Sequence, residues 1–184
     1  MSSTKITQIE DKSCTVAWSP HKSHADVIAL GTKDSGGIGF EDYGGELDLY
    51  DLNLGGDDPK LLKTVKTTHR FGSLAWSTEG FIAGGMSDGS LHLWNFQDLI
   101  QGKSDKPTFT IQAHKTEIKA LHFHPLAPHK LASGGSDGQV VIIDLSSSPP
   151  TMEILPSSSQ VEVTQIAWNT QVEHICASAH ADGL

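Results

Sequence analysis

The chain has 184 residues, with 13 basic and 22 acidic side chains and a net charge of −9. A field of that sign opposes nucleic-acid backbones and anionic lipid as direct partners, since both need a positive surface. No apolar run approaches the roughly 18 residues of a helical membrane span, and the polar stretch 1–13 lacks the apolar centre of a secretion signal.

From the N-terminus, Val16-Ala-Trp18-Ser-Pro20 reads as a short strand ending in an aromatic residue and a turn. Ala29-Leu-Gly-Thr32 follows, then an insertion around 34–45 rich in glycine and acids, then Glu46-Leu-Asp-Leu-Tyr50-Asp-Leu52. An outer strand is predicted over 61–66, where Lys60, Lys63 and Lys66 read as edge charges that block pairing with other chains. The pattern restarts at Leu74-Ala-Trp76-Ser77. It continues through Phe81-Ile-Ala-Gly-Gly-Met-Ser-Asp88-Gly89 and Ser90-Leu-His-Leu-Trp94-Asn-Phe96 to an outer strand over 108–112. A third round runs from Leu121-His-Phe123-His-Pro125 through Lys130-Leu-Ala-Ser133-Gly-Gly-Ser-Asp137-Gly138 and Gln139-Val-Val-Ile-Ile-Asp-Leu145. Its outer strand is predicted over 152–155, between Ser-Pro connectors. Ile166-Ala-Trp168-Asn169 and His174-Ile-Cys-Ala-Ser-Ala-His-Ala-Asp-Gly183-Leu184 open a fourth.

Each Asp-Gly pair lies beside apolar runs and so reads as a tight hairpin turn. The strand-end aromatics Trp18, Trp76, Phe123 and Trp168 are 58, 47 and 45 positions apart, and Tyr50, Trp94 and Ile143 are separated by 44 and 49. The long first interval contains the insertion. A period of about 40–45 residues with four strands per unit is that of a stacked all-β propeller array. The units fall at about 14–66, 72–112 and 114–156, with an incomplete fourth at about 161–184. Propellers close with about four to eight blades, so three and a half units are expected to be part of a larger ring. Open end faces around Trp18 and Leu49, and around Trp168 and Ile175, are expected to make the chain self-associate.

Candidate chemistry is sparse. His122-Phe-His124 with His129, and His21 with His24, contain imidazoles that could ligate zinc, but structural zinc takes four clustered ligands. His122 and His124 flank Phe123, which places them on the face opposite a buried ring. Gly31-Thr-Lys-Asp-Ser-Gly-Gly37 lacks the Gly-Lys-Ser/Thr ending of a phosphate loop. The acidic residues Glu41, Asp42, Glu46, Asp48, Asp51, Asp57 and Asp58 lack calcium-loop spacing and read as a solvated rim. Cys14 and Cys176 lie in predicted strands and read as reduced thiols. No catalytic, cofactor or metal site is assigned. The remaining readings are a peptide-binding adaptor working at the propeller mouth and, more distantly, a metal-dependent hydrolase.

These repeats resemble the WD40 family. Ala113-His114 stands where the family's Gly-His dipeptide falls, with Ser133 in the second strand and Asp137 in the turn. The resemblance implies a buried network in which the imidazole bridges carboxylate and hydroxyl, with Asp88 and Trp94 as counterparts in the second unit. Two departures stand out: Ile143 replaces the network's Trp, and Gly84 replaces its Ser. Within that family, three stretches are similar to the large outer-cage subunit of the COPII vesicle coat. These are Thr164–Ala179, the Leu74–Trp94 unit, and the first unit with its insertion. That resemblance implies a non-enzymatic scaffold, part of a seven-bladed propeller, in transport from endoplasmic reticulum to Golgi. It also implies a smaller propeller subunit and other cage subunits as partners, only indirect membrane association, and a cytoplasmic location at exit sites and coated vesicles.

Overall fold

A computed structural model describes residues 9, 13–34, 44–54, 56, 58–157 and 159–183. Three four-stranded antiparallel sheets follow one another along the chain. The first is β1 (Ser13–Trp18), β2 (Val27–Asp34), β3 (Glu46–Asp51) and β4 (Lys60–Lys66). The second is β5 (Phe71–Trp76), β6 (Phe81–Met86), β7 (Ser90–Asn95) and β8 (Phe109–Gln112). The third is β9 (Ile118–Phe123), β10 (Lys130–Gly135), β11 (Val140–Asp144) and β12 (Thr151–Leu155). A hairpin of β13 (Val163–Trp168) and β14 (Cys176–His180) comes last. Every sheet is a meander in which sequential strands pair, the arrangement of a propeller blade.

Apolar residues face both sides of each sheet, so one blade must cover the next. One core cluster joins Leu47 and Leu49 of the first blade to Phe71, Trp76 and Trp94 of the second. Another joins Leu91 and Leu93 to Ile118, Phe123 and Val141, and a third joins Ala132 and Val140 to Val163 and Trp168. The cores therefore lie in the seams between blades.

The seams share one steric device. The pairing of each blade's first and second strands shifts register just after the first strand begins, at Phe71/Ser73, at Gly134/Gly135 opposite Ile118, and at Val163/Gln165. A bulge of this kind re-aims one side chain. The lead residues Phe71, Ile118 and Val163 are driven into the preceding blade, where each meets a glycine. A Cβ at Gly31 would stand 2.6 Å from Phe71 Cγ, and one at Gly85 would stand 2.5 Å from Ile118 Cγ2. A Cβ at Gly134 would overlap Val163. In β14 the corresponding position is Ala179.

The Asp-Gly turns also have the expected backbone, since Gly89, Gly138 and Gly183 have φ of 84°, 77° and 88°. Sequence reading missed a short helix, α1 (Phe96–Ile100). Asn95 caps it by accepting hydrogen bonds from the backbone N–H groups of Gln97 and Asp98. Its Phe96 and Leu99 complete the first seam core.

Four expectations, for Trp168, Leu49, Asp48 and Lys63, need correction. Trp18 does lie on the open face expected of it, 54% exposed, against 7–8% for Trp76, Phe123 and Trp168. Each of those three is covered by the preceding blade, and among the described residues no blade precedes β1. Leu49 is fully buried because it points into the first seam. Asp48 is not on a solvated rim: it is buried and accepts a 2.6 Å hydrogen bond from Thr64 Oγ1. Lys63 does not guard an edge, because its ammonium lies 2.6 Å from Asp105 of the second blade. The insertion at 35–43, including Glu41 and Asp42, and Asp57 lie outside the described residues.

The seam contacts predict that Gly85→Ala lowers stability by about 1–3 kcal/mol, the usual cost of overpacking. Ile118→Ala, which removes the Cγ2 that the new methyl would meet, should cost less in the Gly85→Ala background than alone, because the two sites touch. Urea unfolding of the single and double variants measures the coupling, and strictly additive losses would contradict it.

Candidate functional site

The polar residues singled out by sequence gather at the turns ending each second strand. In the third blade, His114 Nδ1 lies 3.0 Å from Asp137 Oδ1, and Nε2 lies 2.9 Å from Ser133 Oγ. Asp137 also accepts hydrogen bonds from the backbone N–H groups of Lys115 and Gln139. Burial pushes its carboxyl up, but the Lys115 and Gln139 amides and His114 outweigh that and hold it below the usual carboxylate range. The order Asp, His, Ser is that of a hydrolytic triad. Ser133, however, is fully buried in the middle of β10, where no substrate can approach its hydroxyl. The array holds the turn against the strand and the loop before β9.

The second blade is built differently. Asp88 accepts from Ser90 through its backbone N–H (3.0 Å) and its hydroxyl (2.6 Å), and Oδ2 lies 3.3 Å from His69 Nε2. Burial raises this carboxyl, but the Ser90 bonds and the His69 charge leave it lowered overall. Trp94 does not join this set, since its indole N–H donates instead to Asp105 O. The cause is Gly84: a Cβ there would fall 2.5 Å from Phe71 Cε1 and 3.1 Å from Trp94 Cζ3. The Phe71 ring fills the space of the missing hydroxyl, and His69 sits at the surface, one-third exposed. Sequence reading missed His69, although a histidine just before the lead residue Phe71 was the available signal.

The last hairpin makes a third variant. Ser159 donates to Asp182 Oδ2 at 2.8 Å across 23 positions, the same separation as His114 and Asp137. An imidazole is supplied instead from β14, where His180 contacts Ser178 Oγ at 3.2 Å and Val161 O at 3.0 Å.

Of the histidines flagged as possible metal ligands, His122 and His124 serve the third seam. His122 Nδ1 accepts the Trp168 backbone N–H at 2.9 Å, and His122 O accepts the Trp168 indole N–H at 3.0 Å. His124 is not on a free face. β9 ends at Phe123, so strand alternation no longer applies, and His124 turns in to 1% exposure. Its Nδ1 accepts from the Leu126 and Ala127 amides, each at 3.0 Å, which leaves the proton on Nε2 to donate to Glu173 O at 2.7 Å. Its ring stacks at 4.5 Å on Trp168. Among the described residues, no group of three or more His, Cys, Asp or Glu side chains is placed to hold a metal ion.

Asp137→Ala should destabilise by about 1–3 kcal/mol because it strands the buried His114. Asp88→Ala should destabilise less, because water reaches His69; equal losses on thermal unfolding would contradict this difference.

A pH dependence follows from His122, whose imidazole is held below the ordinary histidine range by burial and by neighbouring His124. The unfolded chain then binds more protons between the folded pKa and about 6.5. Stability is full above about pH 6.5 and is lost as pH falls through that window. His92 is shifted the same way, chiefly by burial. Melting temperatures measured from about pH 7.5 to 5.5 should fall, and His122→Asn, which keeps an acceptor without a titrating ring, should flatten the slope.

The family model for the WD domain, G-beta repeat, matches residues 105–144. The protein transport protein sec31 of Emericella nidulans is 33% identical over 94% of this chain, and SEC31 of Dictyostelium discoideum is 31% identical over 98%. The chain spans 14% and 15% of the length of these relatives. A chain of a solved structure described as "COPII on membranes, outer coat vertex" superposes with TM-score 0.71 at 26% identity, covering 92% of this chain and 45% of that one. A chain of a mitotic checkpoint complex, TM-score 0.67 at 19% identity over 90% of this chain and 43% of that one, shares the fold alone. The chain has a β-propeller fold, contains a match to the WD40 repeat, and is similar along nearly its whole length to the Sec31 protein transport proteins.

Proposed function

We propose that this chain is a rigid, non-enzymatic scaffold acting in a COPII-type outer coat during transport from endoplasmic reticulum to Golgi. The observation that carries the reading is the similarity to Sec31 over 94% of the chain, together with the outer-coat-vertex chain of the same fold. The built-in chemistry fits: His114, His122 and His124 are occupied in fixing turns and seams. A stiff stack of blades holds loop surfaces at fixed angles, and many weak contacts at such surfaces add through multivalency. The partners in this reading are the smaller propeller subunit and other cage subunits, met on the cytoplasmic side at exit sites and coated vesicles. Self-association through the exposed Val16 and Trp18 belongs to the same reading.

Cross-linking with mass spectrometry on the full-length protein in cell extract tests it. Cross-links from lysines of this segment to coat subunits are expected, and links only to unrelated proteins would overturn it. For self-association, sedimentation of the 184-residue chain should show a concentration-dependent larger species, weakened by Trp18→Ser. A monomer at all concentrations would remove that part.

A further inference from the structure

We propose that the free edge of β12 docks an extended segment of a partner protein in which apolar and basic residues alternate. β12 is the outermost strand of the third blade, so among the described residues one row of its backbone groups has no strand beside it. Outer strands are usually defended by charge. β4 carries exposed Lys60 and Lys66 at its two ends. β12 carries one charge, Glu153, and shows Met152 and Ile154 at 50% and 60% exposure.

These two residues lie directly opposite Ile143 and Val141, both members of the core between the second and third blades. Opposed residues in an antiparallel pair share a face. Met152 and Ile154 therefore continue that buried seam outward to the surface and leave it uncovered. Just before β12, a cleft of about 520 Å³ opens between Phe109 and Ile111 of β8 and Pro149 and Pro150. An added strand would satisfy the open backbone, seat alternate apolar side chains along Met152, Ile154 and the cleft, and bring its intervening residues beside Glu153. Glu153 and the chain's net charge of −9 select a basic partner.

The test uses the 184-residue chain and a blocked nine-residue peptide of alternating valine and lysine. Fluorescence anisotropy should show saturable binding, and amide hydrogen exchange should slow at residues 151–155. Ile154→Lys, a change at an exposed position, should weaken binding about tenfold or more by removing an apolar contact. The same peptide N-methylated at every residue has no backbone donor left for a ladder and should not bind. Equal binding by the N-methylated peptide, protection elsewhere, or full affinity in Ile154→Lys would overturn the proposal. So would equal binding of a valine–glutamate peptide, or protection of 151–155 that rises with protein concentration alone, which would make a second copy the occupant.

Discussion

The close approach of a lead side chain to a glycine in the blade before it is the constraint on which this structure depends. A propeller blade has no core of its own; its apolar residues are buried only when the next blade lies close enough to cover them. The bulge after Phe71, Ile118 and Val163 turns these side chains outward, and Gly31, Gly85 and Gly134 let them come in. Any side chain at those glycines would hold two sheets apart and loosen the packing of Leu47, Leu91 or Val140 behind them. Because each seam joins only neighbours, stability is built pair by pair along the chain.

With the seams carrying the packing, the polar turns are free to differ. The third blade uses an Asp–His–Ser array, the second lets an aromatic ring replace the hydroxyl and moves its histidine to the surface, and the last hairpin takes its imidazole from the strand. All three keep the Asp-Gly turn while changing the partners of the carboxylate. In each case these groups hold a turn by hydrogen bonds, and in the third blade Ser133 is fully buried.

The repeat was legible in the sequence because its signals are local. Asp-Gly turns, alternating apolar runs and an aromatic residue at the strand end all act within a few positions, so the order of strands followed directly. Contacts between blades were not legible. Nothing near Trp18 distinguishes it from Trp76, since the difference is whether a neighbour covers it. Asp48 looked like one acid among several until β4 brought Thr64 beside it. Lys63 looked like an edge charge until Asp105 was placed opposite. His124 obeyed strand alternation only on the assumption that β9 continued past Phe123. For Asp48 and Lys63 the deciding partner lies more than ten residues away.

The seams also differ in mechanical character. The first is joined mainly by rings and aliphatic side chains, whose attraction changes little if one sheet slides slightly over the next, and its partly solvent-exposed Lys63–Asp105 ion pair adds little. The third is pinned by directional bonds from Trp168 to the Nδ1 and carbonyl of His122, and from His124 to the carbonyl of Glu173. Sliding there breaks a bond before it disturbs the packing. Under a shearing load the stack would therefore give first between the opening blades, while the angle between the third blade and the closing hairpin stays fixed.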